Sequence, residues 1–160
     1  MEAPMPRQIS PEEAWQITCH EAGHAVVGVR LQVPFEYVER GEDEHGEVPI
    51  AVGPIENPSG NWTRDEISEW QRFYAGGAGA EQLLFGSYRE YACSRDKYLH
   101  AVLEKQWQPN RRRGWEQDVQ SAMKLLDRQS VEKVAKELEL QRKLSDDQVY
   151  QLLGCTPWWY

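Results

Sequence analysis

The sequence has little cysteine, no long apolar run and no excess of positive charge. Its three cysteines, Cys19, Cys93 and Cys155, are odd in number and far apart. That excludes a disulfide framework and reads as the reduced thiols of a cytoplasmic protein. No stretch approaches the roughly 18 uninterrupted apolar residues of a membrane span. The polar, proline-containing start, Met1 to Pro11, carries no secretion-signal pattern. Lys and Arg number 18 against 26 Asp and Glu, a formal charge of −8, which excludes nucleic acid as a default partner because such binders present a basic face. There is no G-x-x-x-x-G-K-[ST] nucleotide loop, no internal repeat and no low-complexity tract. What is present is globular composition, 40% hydrophobic and 28% charged over 160 residues. A chain of that length forms one domain and buries roughly two thirds of its unfolded surface without needing disulfides.

The pattern along the chain predicts a mainly helical (α+β) domain over 10–160, behind a flexible arm at 1–9. In Ser10-Pro11-Glu12-Glu13 a capping serine, a proline suited to the first helical position and a glutamate three residues on mark a helix start. This helix should run to about Leu31. From Ala14 to Val29 its only formally charged residue is Glu21, and small residues (Ala14, Thr18, Ala22, Ala25) form one stripe. A helix apolar on several sides belongs at the centre of a domain. Short strands are expected at 35–40 and 47–52, around an acidic turn at 41–46. Thr63 to Glu66 forms a second capping box, opening one helix that continues to a stop at Gly86. Gly76, Gly77 and Gly79 lie inside it at a cost of up to about 1 kcal/mol each, which points to a close neighbouring backbone. Further helices are expected at 97–107, after Gly114, at 130–140 and from Ser145 to near Gly154. The aromatic tail Pro157-Trp158-Trp159-Tyr160 should pack against something, and Arg111 to Arg113 reads as a solvated basic loop.

His20-Glu21-Ala22-Gly23-His24 is an H-E-x-x-H pattern. Helix positions four apart differ by about 40° in rotation and about 6 Å along the axis, so both imidazoles leave one face and can meet one metal ion. Zinc accepts neutral imidazole nitrogen. Glu21 is adjacent to the first histidine and cannot bind from the same face, so it is placed to take a proton from a water at the metal. A third protein ligand is required. His45, Glu81, Asp96, His100, Glu104 and Asp118 are all candidates, and spacing alone does not choose among them. His45 and His100 read as surface histidines, and Cys19, about 100° around the helix from His20, as a buried structural thiol.

These residues resemble a known family. His20 to Gly28, HEAGHAVVG, closely resembles the zinc site of the FtsH-type ATP-dependent membrane proteases. Gly76 to Gly86, GGAGAEQLLFG, resembles that family's glycine-pair helix, usually GGRxAEE, and Gly114 to Val119 resembles its segment GASND plus an apolar residue. Leu138 to Leu153 looks like its closing helix pair, so the blocks follow in order over about 10–154. The resemblance implies a zinc metalloendopeptidase with Zn²⁺ held by His20, His24 and Asp118, Glu21 as base, and Glu81 as an alternative ligand or a group holding a ligating histidine. It also implies that a peptide substrate adds a strand to the edge formed by Gly46, Glu47, Val48 and Ile50, although Pro49 removes one donor from that edge. The segment 87–113 is longer than the family's link. The ATPase module and membrane anchor of the family have no counterpart here. The expected activity is therefore a soluble, ATP-independent peptidase acting on peptides or unfolded segments. The alternative is a zinc-binding module with weak or no hydrolysis, or a subunit fed by a separate ATPase. A homo-oligomer is a further expectation from the family.

Overall fold

The computed structural model describes residues 9–40, 53–107, 114–157 and 159. The first helix, α1, spans Pro11–Leu31. Ser10 caps it as the sequence predicts, its hydroxyl accepting from the Glu13 amide at 3.1 Å. The helix ends at Gln32, which turns into the left-handed region at φ 58° and lets Val33 bond back to the Gly28 carbonyl. All residues from Ile17 to Val29 are buried. α1 is therefore the central helix, and every polar group it carries there needs a partner.

A short strand, β1 (Tyr37–Glu39), follows. Thr63 then opens α2 (Arg64–Tyr74) through the expected reciprocal box with Glu66. The single helix expected from here to Gly86 is in fact two. The chain breaks at Ala75, and α3 occupies Gly76–Phe85, ending at left-handed Gly86. The physical reason lies across the interface with α1. A Cβ added at Gly23 would lie 2.5 Å from the Gly76 carbonyl oxygen and 2.5 Å from the Ala80 Cβ. The two helices approach this closely because Gly23 and Gly76 carry no side chain and Ala80 only a methyl, and the break sets α3 against α1 at that contact.

After a 3-10 turn at Tyr91–Cys93, α4 covers Ser94–Trp107, starting one turn earlier than the periodicity suggests. Then come α5 (Trp115–Leu125), α6 (Arg128–Gln141), strand β2 (Lys143–Ser145) and α7 (Asp146–Leu152), the last opened by Ser145 in a capping box with Gln148. β2 pairs antiparallel with β1, Val38 opposite Leu144, both fully buried. The fold is mainly helical with one small two-stranded sheet among the described residues, as expected. The sheet's second strand, however, comes from the C-terminal region. The expected strand at 47–52, and with it the substrate edge Gly46, Glu47, Val48 and Ile50, lies outside the described residues.

α1 packs chiefly on α3 and α6, with α2, α5 and α7 completing the ring. Thr18 donates to Glu139 of α6 at 2.6 Å, and Arg30 reaches Asp127 and Ser130 at the start of that helix. Val26, Val27, Ile67, Leu103, Leu138 and Leu144 are fully enclosed in the core. At the C-terminus the Trp159 ring meets Tyr150 edge-on at 5.2 Å, and no described helix is long and apolar enough to cross a membrane.

Candidate metal centre

The two histidines of α1 are held from behind, and the partners decide which nitrogen is available. Nδ1 of His24 lies 2.8 Å from the Phe73 carbonyl oxygen on α2. A carbonyl only accepts, so Nδ1 carries the hydrogen and donates. Nδ1 of His20 lies 2.7 Å from Oε2 of Glu81 on α3 and donates to that carboxylate. Both tautomers are thereby set so that Nε2 presents a lone pair.

The two Nε2 atoms lie 3.2 Å apart, and each is 3.1 Å from Oδ2 of Asp96 on α4. Three electron-pair donors thus converge on one point from three directions. With metal–ligand distances of about 2.0–2.1 Å, the edge of a zinc tetrahedron is about 3.3 Å, which these separations match closely. Two imidazole lone pairs and a carboxylate oxygen at this spacing repel one another unless a proton or a metal cation lies between them. The donor set, two nitrogens and one oxygen, is the chemistry zinc accepts. The residues present fit the metal.

The surrounding field favours positive charge. Burial acts to lower the His20 pKa, but hydrogen bonding to Asp96, Cys93 and Glu81 outweighs it and leaves His20 raised well above its usual range. His24 is raised for a similar reason, Asp96 overcoming the effect of burial. Burial alone would raise Asp96, yet the two imidazoles hold its carboxyl far below the ordinary range.

Glu21 is buried, and no described residue hydrogen-bonds its carboxylate. Burial, partly offset by the adjacent imidazoles, raises its pKa. A carboxylate beside the convergent donors and unspent on internal bonds has the chemistry of a proton acceptor.

Glu81 is fully committed. Oε2 receives His20 and Oε1 receives Arg89 Nε at 2.6 Å, so its charge is neutralised from both sides and its pKa lowered despite burial. It holds the His20 ring from behind rather than joining the three convergent donors. Cys93, buried near His20 and Glu81, completes a second cluster of donor atoms, but with Glu81 spent on Arg89 and on His20 the group reads as a hydrogen-bond network around the histidine.

The structure does not bring Asp118, the ligand implied by the family pattern, to the histidine pair. Asp118 is fully buried at the start of α5, with Oδ2 2.6 Å from Nε2 of His100. Asp96 occupies the third position instead. His100, expected on the surface, is itself buried and packs edge-on against Trp115 at 5.5 Å. A signal for Asp96 was present. Ala92-Cys93-Ser94-Arg95-Asp96 keeps the serine and aspartate of GASND, while Gly114 to Asp118 keeps the glycine and aspartate. The later segment also keeps the apolar residue after the aspartate, Val119 where the earlier has Lys97, but choosing the earlier one removes the long link at 87–113. A cleft of about 300 Å³ between Gln32 to Pro34 and Trp62, Glu66, Glu69 and Trp70 includes none of the metal-group residues. No family model matches the chain, and no curated protein matches it.

Proposed function

We propose that the protein is a zinc metalloendopeptidase that acts on peptides or unfolded segments. The observation that carries this reading is the convergence of His20 Nε2, His24 Nε2 and Asp96 Oδ2 within 3.2 Å of one another, with Glu21 next along the helix. The resemblance of the HEAGH motif and the glycine-pair helix to FtsH-type peptidases supports it. His20, His24 and Asp96 would hold the ion. When bound, zinc supplies Lewis-acid chemistry: it acidifies water and polarises a carbonyl.

This chain's residues do the rest. Glu81 and the Phe73 carbonyl keep the two imidazoles in the ligating tautomer and orientation. Glu21 takes the proton of the attacking water and passes it to the leaving amine. The burial of this group keeps competing water away and strengthens its electrostatics.

The test is metal analysis of the full chain together with cleavage of unfolded casein. One zinc per chain and cleavage abolished by a chelator are the expected results. In Asp96→Ala, zinc content should fall to background while Asp118→Ala is judged separately for folding. One zinc per chain with no cleavage of any unfolded substrate would replace the enzyme by a zinc-binding module.

A further inference from the structure

We propose that the buried His100–Asp118 pair is the positioning device of the metal centre, locking α4 so that Asp96 meets the two histidines. The proposal rests on the metal reading of His20, His24 and Asp96. Two of those three groups share one helix, and each ring is secured through its own Nδ1. Asp96 comes from a different element. Among the described residues its carboxylate bonds only to the two imidazoles, so its position is only as good as the placement of α4.

Three contacts place that helix. His100 bonds to Asp118 at 2.6 Å. Gln71 of α2 donates to Glu104 at 2.6 Å and lies 3.4 Å from the His100 carbonyl. Leu103 is fully enclosed. Of these, His100 is nearest to Asp96, four residues on, and so shares its helix face about 6 Å further along the axis. A buried carboxylate is costly unless paired, and a pair in a low-dielectric interior tolerates little change in geometry. Trp115 lies edge-on to the His100 ring and restricts its rotation. Asp118 sits in the first turn of α5, where the helix dipole favours its charge. The same Gln71 contact ties α4 to α2, whose Phe73 carbonyl orients His24. Buried polar contacts therefore tie α4, which carries Asp96, to α5 and to α2, which orients His24.

The test measures zinc affinity of the full chain by chelator competition, well below each variant's melting temperature. His100→Leu should weaken binding about tenfold or more, the range found when groups behind a metal ligand are removed. His100→Gln keeps a donor toward Asp118 and should recover most of the affinity. Leu144→Ala, in β2 and away from α4, should lower the melting temperature yet bind zinc as the parent does. Should His100→Leu fail to fold, Asp118→Asn takes its place. It keeps the volume, removes the charge, and should weaken binding about threefold or more. Parent-like affinity in the folded His100 or Asp118 variant overturns the proposal, as does an equal loss in Leu144→Ala. A parent chain that binds no zinc overturns the metal reading itself, and this proposal with it.

Discussion

A Cβ atom on Gly77 would lie 2.3 Å from Nε2 of His20. Four residues on along α3, Glu81 holds the other nitrogen of the same ring. One face of α3 thus makes room for the imidazole and secures it. Gly→Ala inside a helix ordinarily stabilises by up to about 1 kcal/mol. Gly77→Ala should do the opposite, costing about 1–3 kcal/mol through overpacking and weakening zinc binding about tenfold or more. Thermal unfolding and chelator competition read both. A higher melting temperature with zinc affinity intact would show that the contact is absent.

Glu21→Gln separates binding from chemistry. The amide cannot take a proton from water, so casein cleavage should fall about 10²–10⁴-fold or more. Glu21 is not among the convergent donors, so zinc content should stay at one per chain. Retained activity in a folded, zinc-loaded variant would remove Glu21 from the mechanism.

The thiols should differ sharply in reactivity. Burial, helped by nearby carboxylates, pushes the Cys19 thiol up to about 12, and burial also raises Cys93. With a pKa about four units above the solution, only about one Cys19 in ten thousand is thiolate at pH 8. Cys155 is partly exposed. A disulfide reagent at pH 8 should therefore titrate one thiol in the native protein and three in denaturant. Rapid labelling of Cys19 or Cys93 in the folded chain would contradict the burial described above.

Thr63 tests the architecture away from the metal. Its hydroxyl accepts from the Glu66 amide at 3.1 Å, and Glu66 returns the bond to the Thr63 amide at 3.2 Å. Thr63→Ala should cost about 1 kcal/mol, and Thr63→Ser much less. Neither should alter zinc content, because α2 meets the histidines at its far end, through Phe73. Denaturant unfolding with parallel metal analysis is the measurement, and a loss of zinc in Thr63→Ala would mean that the start of α2 bears on the site.

Much was legible in the sequence because it is local. The caps of α1, α2 and α7 are decided within four residues. His20 and His24 share a face because 3.6 residues make a turn. The pressure for a close backbone at Gly76 was readable from a glycine that no helix would otherwise keep, whereas the neighbour that Gly77 makes room for is the His20 ring. The break at Ala75 was not readable, because it answers to the α1–α3 contact and not to any breaker residue in α2.

The amino-acid sequence by itself determined the central helix, the paired histidines, the adjacent glutamate and the largely helical class, all through spacing along one chain. The tertiary structure alone decided which aspartate completes the group. Asp96 and Asp118 sit in comparable segments and carry the same chemistry. Only the packing of α4 against α2 and α5 points one at the histidines and buries the other against His100. Which carboxylate meets a metal depends on where helices cross, and no periodicity along the chain records that.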